Sequence, residues 1–410
     1  MKKVLTVNKM YRPEIGGVEI VAEAIAKILK ENNYESQVLT YNNINKLKEE
    51  IIDEVKVKRL PIIFQKGSVR WSNKYKKNMK KESKHADIII FHFPSFQPEI
   101  DLFFTNKYSN AKKICFYHSD IVGKGFLGNL YNKLVTQNFL EKMDKIIVTS
   151  PNMKDSSKEL EKFKDKVEVV PLFVDTTHFY YREKNKREFL LSRFKNKKEK
   201  IVMYIGRLGR YKGLEYLIEA FQNLDKKNGL VIIGKGVKEK ELKTKVQELN
   251  LEDDILFLDF IPHEELPEYY SSADLFVLPS IERGESFGIV AIEAMACGVP
   301  VVTTELGTGT SFHNIDGVTG RVIESRNSTA LAKAINEILE NPNKYKKQNI
   351  VKRAKDFSYD KFEKNVKEKI LSIIEEWRKI IISINEDYSY WKWSGSLPKS
   401  VGRKNEIWTK

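Results

Sequence analysis

The chain has 410 residues, 41% of them hydrophobic and 31% charged, a globular composition long enough for two or three buried cores. Two cysteines, Cys115 and Cys297, are too few for a disulfide framework, an iron–sulfur cluster or a zinc ribbon, and the cytosol is the expected compartment. Lys and Arg exceed Asp and Glu by 71 to 56, a formal +15, and no run of about 18 uncharged apolar residues offers a membrane span.

The N-terminal run Val4–Val7 is broken by Asn8, Lys9, Arg12 and Glu14 too soon for a leader's apolar segment, so it reads as a buried first strand. Further short apolar runs follow at Gln37–Tyr41, Val57–Phe64, Asp87–Phe93, Lys113–His118, Lys145–Ser150 and Val167–Phe173. Several are apolar throughout, as parallel strands covered on both faces must be. Between them lie amphipathic patterns such as Val18–Lys30, with Val18, Val21, Ala22, Ile25, Ala26 and Leu29 on one face. The second half repeats the alternation. Its runs are Ile201–Ile205, Leu230–Ile233, Ile255–Phe260, Leu275–Leu278 and Pro300–Thr303, with helical patterns at Gly213–Leu224, Lys238–Leu249, Glu264–Ser271 and Gly288–Cys297. The expected fold is α/β, with two Rossmann-like doubly wound domains facing a central cleft. The charged stretch Tyr181–Lys200 separates them, giving domains over 1–185 and 195–365. Helical segments are predicted at Thr329–Glu340 and Asp360–Ile382. A last segment, 366–410, is expected to run as a helix back toward the first domain and to end in the aromatic, basic stretch Tyr388–Lys410.

Ligands of open α/β sheets bind beyond the carboxyl ends of the strands. The residues found there are Gly16-Gly17, His92-Phe93-Pro94-Ser95, His118-Ser119-Asp120, Gly206-Arg207, Gly234-Lys235-Gly236 and Pro279-Ser280. In Glu285-Ser286-Phe287-Gly288-Ile289-Val290-Ala291-Ile292-Glu293, one carboxylate precedes a helix and a second lies inside it. Gly288 permits close backbone approach, and the helix's first N–H groups suit an anion. Glu293 falls about 7–8 Å further along the axis. Donors for a diphosphate flanked by carboxylates for hydroxyls would receive a sugar nucleotide; an amphipathic helix with a solvent-facing Glu is the plainer alternative. Arg207 and Lys212, five residues apart in a strand-to-helix loop, add a planar fork and a point charge for phosphate oxygens.

Taken together, Gly206-Arg207, Lys212-Gly213, Gly234-Lys235-Gly236, the Glu-x7-Glu segment with Ala294–Val302, Gly16-Gly17-Val18-Glu19 and Asp316-Gly317-Val318-Thr319-Gly320 resemble the family 4 retaining glycosyltransferases of GT-B architecture. The resemblance covers roughly residues 1–385. It implies that Arg207 and Lys212 bind the donor diphosphate, that Glu293 holds the ribose, and that Glu285 contacts the donor sugar near the reacting centre. It further implies that the backbone of Phe287, Gly288 and Ile289 meets sugar and phosphate oxygens, with Gly234 on the same donor side. Gly16 and Gly17 would close onto the diphosphate, and His118 would reach the donor sugar. Glu285, His118, Arg207 and Lys212 are thus the implied catalytic set, with Asp120 and His92 assigned to the acceptor side. The implied reaction is front-side transfer with retention, in which the leaving diphosphate helps deprotonate the acceptor. It needs no metal and no cofactor beyond the nucleotide-diphosphate sugar. Asp253-Asp254, the one Asp-Asp pair that could suggest a metal, reads as a turn.

Gly307–Phe312 and His118-Ser119-Asp120 look like the mannosyl- and rhamnosyltransferase-like branch of bacterial surface-polysaccharide synthesis, which favours GDP-mannose or a related deoxyhexose donor. A UDP-hexose donor and a GT-B sugar-nucleotide epimerase are the alternatives. His85, His178, His263 and His313 have no ligand spacing and read as surface or structural residues, and Cys297 as core. Residues 66–84 hold eight cations against Glu82 alone, and Arg70, Lys74, Lys77, Lys81 and Lys84 fall at helical spacing. Such a helix would suit an anionic membrane on its inner face if the acceptor is a glycan carried on a lipid. Elsewhere the cations are dispersed and no nucleic-acid module is present, so a nucleic-acid-binding or scaffold protein is the weakest reading and no nucleic acid is expected.

Overall fold

The computed structural model describes residues 2–14, 16–44, 46–67, 69–105, 108–121, 125–183 and 186–372. The latter part of the helix expected over Asp360–Ile382, and the stretch Tyr388–Lys410, lie outside the described residues.

The first ten strands are β1 (Lys2–Val7), β2 (Tyr34–Asn42), β3 (Lys48–Ile52), β4 (Val55–Pro61), β5 (Phe64–Lys66), β6 (Val69–Trp71), β7 (Ile88–Phe93), β8 (Lys112–Tyr117), β9 (Lys145–Val148) and β10 (Val167–Val169). Eight of them form one sheet in the order β10-β9-β8-β7-β1-β2-β4-β3, parallel except for the antiparallel edge strand β3. β5 and β6 pair separately as a hairpin. Every residue of β7 is buried, and β1 is buried from Val4 to Val7, which is why these runs carry no polar alternation. The helix Gly17–Glu31 covers this sheet with the predicted face, burying Val21, Ala22, Ile25, Ala26 and Leu29.

The second sheet comprises β11 (Lys200–Ile205), β12 (Asn228–Ile233), β13 (Ile255–Leu258), β14 (Leu275–Leu278), β15 (Val301–Glu305) and β16 (Gly320–Glu324). All are parallel, in the order β13-β12-β11-β14-β15-β16. Asp253-Asp254 forms the turn into β13, where Asp254 accepts hydrogen bonds from Lys198 and, at 2.6 Å, from Lys226.

Residues 1–362 make one unit that carries both sheets, and the described residues from Glu363 onward belong to a second. In the first unit the chain returns from the second sheet toward the first. The Val174 N–H donates to the Phe357 carbonyl at 2.8 Å, and the Phe173 ring meets Tyr359 and Phe362 at 5.1 and 4.8 Å. In the second unit Lys367 pairs with Glu363 at 2.7 Å within a helical turn.

Three predictions of local structure are corrected. β3, the β5–β6 hairpin and β16 were not expected, because edge strands such as Lys48–Ile52 are half polar and carry no continuous apolar run. Residues 66–84 do not form one cationic helix, since only Tyr75–Ser83 is helical. Arg70 lies in β6, buried, and donates to the Lys9 carbonyl at 3.2 Å and to Glu14 at 2.7 Å, so it belongs to no exposed basic face.

Gly234, at the end of β12, has φ +135°, and a Cβ there would stand 2.1 Å from the Gly206 carbonyl oxygen. The two strand-end loops therefore touch backbone to backbone. Gly317 also has positive φ, but a Cβ would meet nothing within 4 Å. Gly317→Ala should therefore cost only backbone strain, about 1 kcal/mol, whereas Gly234→Ala should cost at least about 2–3 kcal/mol in chemical denaturation. Equal losses would mean that the Gly206–Gly234 contact is not a packing constraint.

Candidate functional site

Each sheet has one point at which the direction of strand addition reverses. In the first it lies at β1, between β2 and β7; in the second at β11, between β12 and β14. A crevice opens at the carboxyl ends of such neighbours. β1 leads to Lys9 and the Gly16-Gly17 loop, β7 and β8 deliver His92 and His118, β11 leads to Arg207 and Lys212, and β14 leads to Ser280 and Glu285.

The charged centre lies at the second reversal. Lys212 Nζ donates to Glu285 Oε2, and both side chains are buried. The Ser280 hydroxyl donates to the same oxygen at 3.2 Å. Burial works against the Lys212 ammonium, but the facing Glu285 carboxylate outweighs it and holds the group above the usual lysine range. The two loops are also tied through the Ile281 N–H, which donates to the Tyr211 carbonyl at 2.8 Å. Two residues expected to grip different parts of a ligand thus hold each other. Arg207 is exposed and makes no ion pair among the described residues, while its carbonyl accepts the Tyr204 hydroxyl at 3.0 Å.

The loop after Glu285 is anchored carbonyl by carbonyl. Thr308 Oγ1 donates to the Glu285 carbonyl at 2.8 Å, the Gly309 N–H to Ser286 at 2.7 Å, and His313 Nε2 to Phe287 at 2.8 Å. His313 is fully buried, which pulls its imidazole down to about 3, so the ring is neutral and its proton sits on Nε2. Gly288 adopts φ +77° with Leu278 Cδ2 2.6 Å from where a Cβ would be, a position only glycine fills. The helix Ile289–Ala296 begins immediately after it with no side-chain cap; the Ala291 N–H turns back to the Gly288 carbonyl at 2.9 Å, which leaves the N–H groups of Ile289 and Val290 to suit an anion. Glu293 follows one turn along, partly buried, accepting the buried Tyr270 hydroxyl at 2.7 Å. Burial pushes the Glu293 carboxyl up to about 7, with the Tyr270 bond opposing.

The N-terminal side supplies a neutral wall and a cation. His92 Nδ1 and His118 Nε2 share a 2.9 Å hydrogen bond, their rings stacked at 5.1 Å and both side chains buried. Burial holds His92 down at about 3 and His118 well below its ordinary value, so neither is charged near neutrality. The hydrogen bond and the stacking tie the two rings to each other. Gly16 precedes the helix Gly17–Glu31, which also lacks a side-chain cap. Burial depresses the Lys9 ammonium, opposed by Glu19 and Glu99 and reinforced by Arg70 and by Arg207 of the second sheet.

Asp120, expected on the acceptor side, is instead committed to a link between the two sheets. Its Oδ1 accepts Tyr117 at 2.8 Å and Ser157 at 2.7 Å, and its Oδ2 faces Arg283 Nε at 2.5 Å. Arg283 Nη1 also donates to Ser156 Oγ and the Leu306 carbonyl, both at 2.9 Å. Nearby, Ser156 Oγ donates to the Gly307 carbonyl at 2.6 Å and Asn152 to Ser311 at 3.1 Å. Sequence reasoning missed Arg283, Tyr270 and Lys9, while His313, read as a surface or structural residue, is structural. Only Lys9 had a signal, two residues beyond the first apolar run; the others act through partners distant in the chain.

Comparison with known proteins identifies the family and the fold. The family described as "Glycosyltransferase Family 4" matches residues 15–178, and "Glycosyl transferases group 1" matches residues 185–357. The chain is 31% identical over 343 residues to the O-antigen chain mannosyltransferase C of Escherichia coli, covering 83% of this chain and 89% of that protein. It is 29% identical over 345 residues to the D-rhamnosyltransferase WbpZ of Pseudomonas aeruginosa, covering 83% and 87%. Among solved structures, sucrose-phosphate synthase of Thermosynechococcus elongatus aligns with a TM-score of 0.74 at 23% identity, over 93% of this chain and all of that one. Anabaena HepE in complex with UDP and glucose aligns at 0.72 with 17% identity, over 91% of this chain and all of that one, a likeness of fold. The two sheets with facing strand ends have the GT-B architecture, and the chain belongs to glycosyltransferase family 4.

Proposed function

We propose that this glycosyltransferase moves a hexose, with retention, from a nucleotide-diphosphate sugar to a glycan or lipid-linked glycan acceptor in bacterial surface-polysaccharide synthesis. GDP-mannose or a related deoxyhexose nucleotide is the proposed donor, in keeping with the mannosyl- and rhamnosyltransferase names of the relatives. The observation that carries the reading is the buried Lys212–Glu285 pair, set beside the uncapped helix Ile289–Ala296 and the exposed Arg207.

In this reading the bond from the sugar's anomeric carbon to the diphosphate breaks as the acceptor oxygen attacks the same face. The acceptor's proton passes to the departing phosphate oxygen. Arg207, Lys212 and the N–H groups following Gly288 meet the charge that develops on the diphosphate, a role that makes a metal dispensable. Glu285 turns its carboxylate to the sugar hydroxyls once the phosphate shares Lys212, Glu293 takes the ribose, and His118 lies over the sugar. Gly16 and Gly17 approach the diphosphate on closure. The protein acts at the inner membrane face, where a lipid-carried acceptor would be presented.

Nucleotide release from UDP-, GDP-, ADP- and dTDP-sugars, with and without EDTA, tests this directly. One GDP-sugar should turn over slowly and without regard to EDTA. Release from a UDP-hexose alone would replace the donor, and product isomerisation without acceptor would mark an epimerase. Glu285→Gln and Lys212→Met should each lower transfer at least about 100-fold, with far-ultraviolet circular dichroism unchanged. Wild-type rates in both would place the chemistry elsewhere.

Glu293 gives a pH signature. Between about 4.5 and 7 the folded chain keeps a proton on Glu293 that the unfolded chain has released, so its contribution to stability falls as pH rises through that window. Glu293→Gln should lose less melting temperature than the parent between pH 5 and 8; parallel curves would show that Glu293 ionises normally.

The link through Arg283 is expected to set how often the cleft is closed. Arg283→Ala and Asp120→Ala should each slow donor turnover at least about 10-fold, and their double-mutant cycle should show a coupling of at least about 1 kcal/mol. Additive losses would mean that the pair does not act as one contact.

A further inference from the structure

The residues from Gly125 to Glu141 form a continuous helical stretch, Gly125–Tyr131, a π-helical turn Asn132–Thr136, and Gln137–Glu141. Its inner side buries Gly128, Thr136, Phe139 and Leu140. Its outer side leaves Phe126 81% and Leu127 75% exposed, with Leu130 and Leu134 also exposed. At 100° per residue these four positions fall within about a quarter of the helix circumference. The helix Gln97–Thr105 packs against this stretch and carries two further uncovered rings, Phe103 and the 76% exposed Phe104, in edge contact at 5.3 Å. The four side chains of the 126–134 face alone expose roughly 400 Å², within the range of the largest apolar patch of an ordinary monomer, which is often functional.

Two cations stand beside this face. Lys133 is exposed on the same helical stretch, and Lys76 is exposed on the helix Tyr75–Ser83. Neither forms an ion pair among the described residues. The basic helix stands close to the Phe103–Phe104 helix, where burial raises the Asp101 carboxyl and the charge of Lys76 opposes it. The patch also adjoins the cleft. Asn132 donates to the Ile121 carbonyl at 3.1 Å, directly after the His118-Ser119-Asp120 strand end.

We infer that the outer face of residues 126–134, with Phe103 and Phe104, docks on an anionic lipid bilayer, the apolar side chains entering the acyl boundary and the bordering lysines meeting the headgroups. A second copy of this chain would bring the unpaired lysines of both copies together, whereas anionic headgroups neutralise them, so charge selects lipid over self-association. The inference relies on the proposed lipid-linked acceptor for the reason such a face adjoins the cleft, but its test does not require turnover. It also moves the membrane contact expected over residues 66–84: Lys76 of the Tyr75–Ser83 helix stands beside the contact, and the apolar anchor lies elsewhere.

Flotation of the full chain with vesicles of pure phosphatidylcholine, and of phosphatidylcholine with about one-third phosphatidylglycerol, tests it. Binding to the anionic vesicles and little to the neutral ones is expected. Phe126→Ser with Leu130→Ser should reduce the bound fraction at least about 10-fold, and Lys76→Glu with Lys133→Glu should reduce it and weaken its salt dependence. All four side chains face solvent, so folding should survive, as an unchanged melting temperature would show. Release of nucleotide from the soluble donor should be unaffected in both variants. No binding by the parent, or undiminished binding by the Phe126/Leu130 variant, overturns the inference. A dimer in solution that the same variant dissociates would assign the face to a second copy instead. Vesicle binding by a chain that turns over no sugar nucleotide would leave the docking face standing and sink the proposed reaction.

Discussion

Much of the second domain is organised to tolerate one buried pair of opposite charges. Lys212 and Glu285 come from loops on either side of the β11–β14 reversal, and neither charge could be buried alone. The loops around them follow from that constraint. Ser280 takes part in holding the carboxylate, the Ile281–Tyr211 bond fixes the separation of the loops, and residues 308–313 anchor three successive carbonyls from Glu285 onward. The pair satisfies itself; in the proposed reaction a diphosphate at Lys212 would exchange one anionic partner for another.

The first domain meets this centre through contacts of a different kind. Arg283 joins the two sheets two residues before Glu285, so the same loop that places the carboxylate also bears the link to Asp120 and Ser156. A displacement of the first domain is therefore felt at the base of the Glu285 loop. The return of the chain past Val174 and Phe173 to residues 357–362 provides a second joint, in which Phe357 also packs on the Phe287 ring at 5.8 Å.

The fold was legible because the central strands are buried on both faces, and such strands must be written as unbroken apolar runs. β7, β11 and β14 were placed almost to the residue for that reason. Edge strands face water on one side, so Lys48–Ile52 and Gly320–Glu324 left no comparable trace. The strand ends were legible for a related reason: a ligand crevice concentrates Gly, His, Arg and Glu where the apolar runs stop. What could not be read was pairing over long separations. Nothing local announces that Tyr270 will hold Glu293, that His313 will hold the Phe287 carbonyl, or that Asp120 will be claimed by Arg283. The cationic spacing through Arg70 misled because a strand and a helix share that segment, and spacing alone does not say where one ends.

The paired imidazoles of His92 and His118 have a consequence for how protons are counted. Both rings are neutral and already share a hydrogen bond, and burial makes either a poor proton acceptor. In the proposed reaction they would orient the sugar without competing with the departing phosphate for the acceptor's proton. Under the proposed reaction the proton inventory of that wall is the same before and after each turnover. The single proton that moves is exchanged between the two substrates, and the wall needs no recharging by solvent before the next cycle.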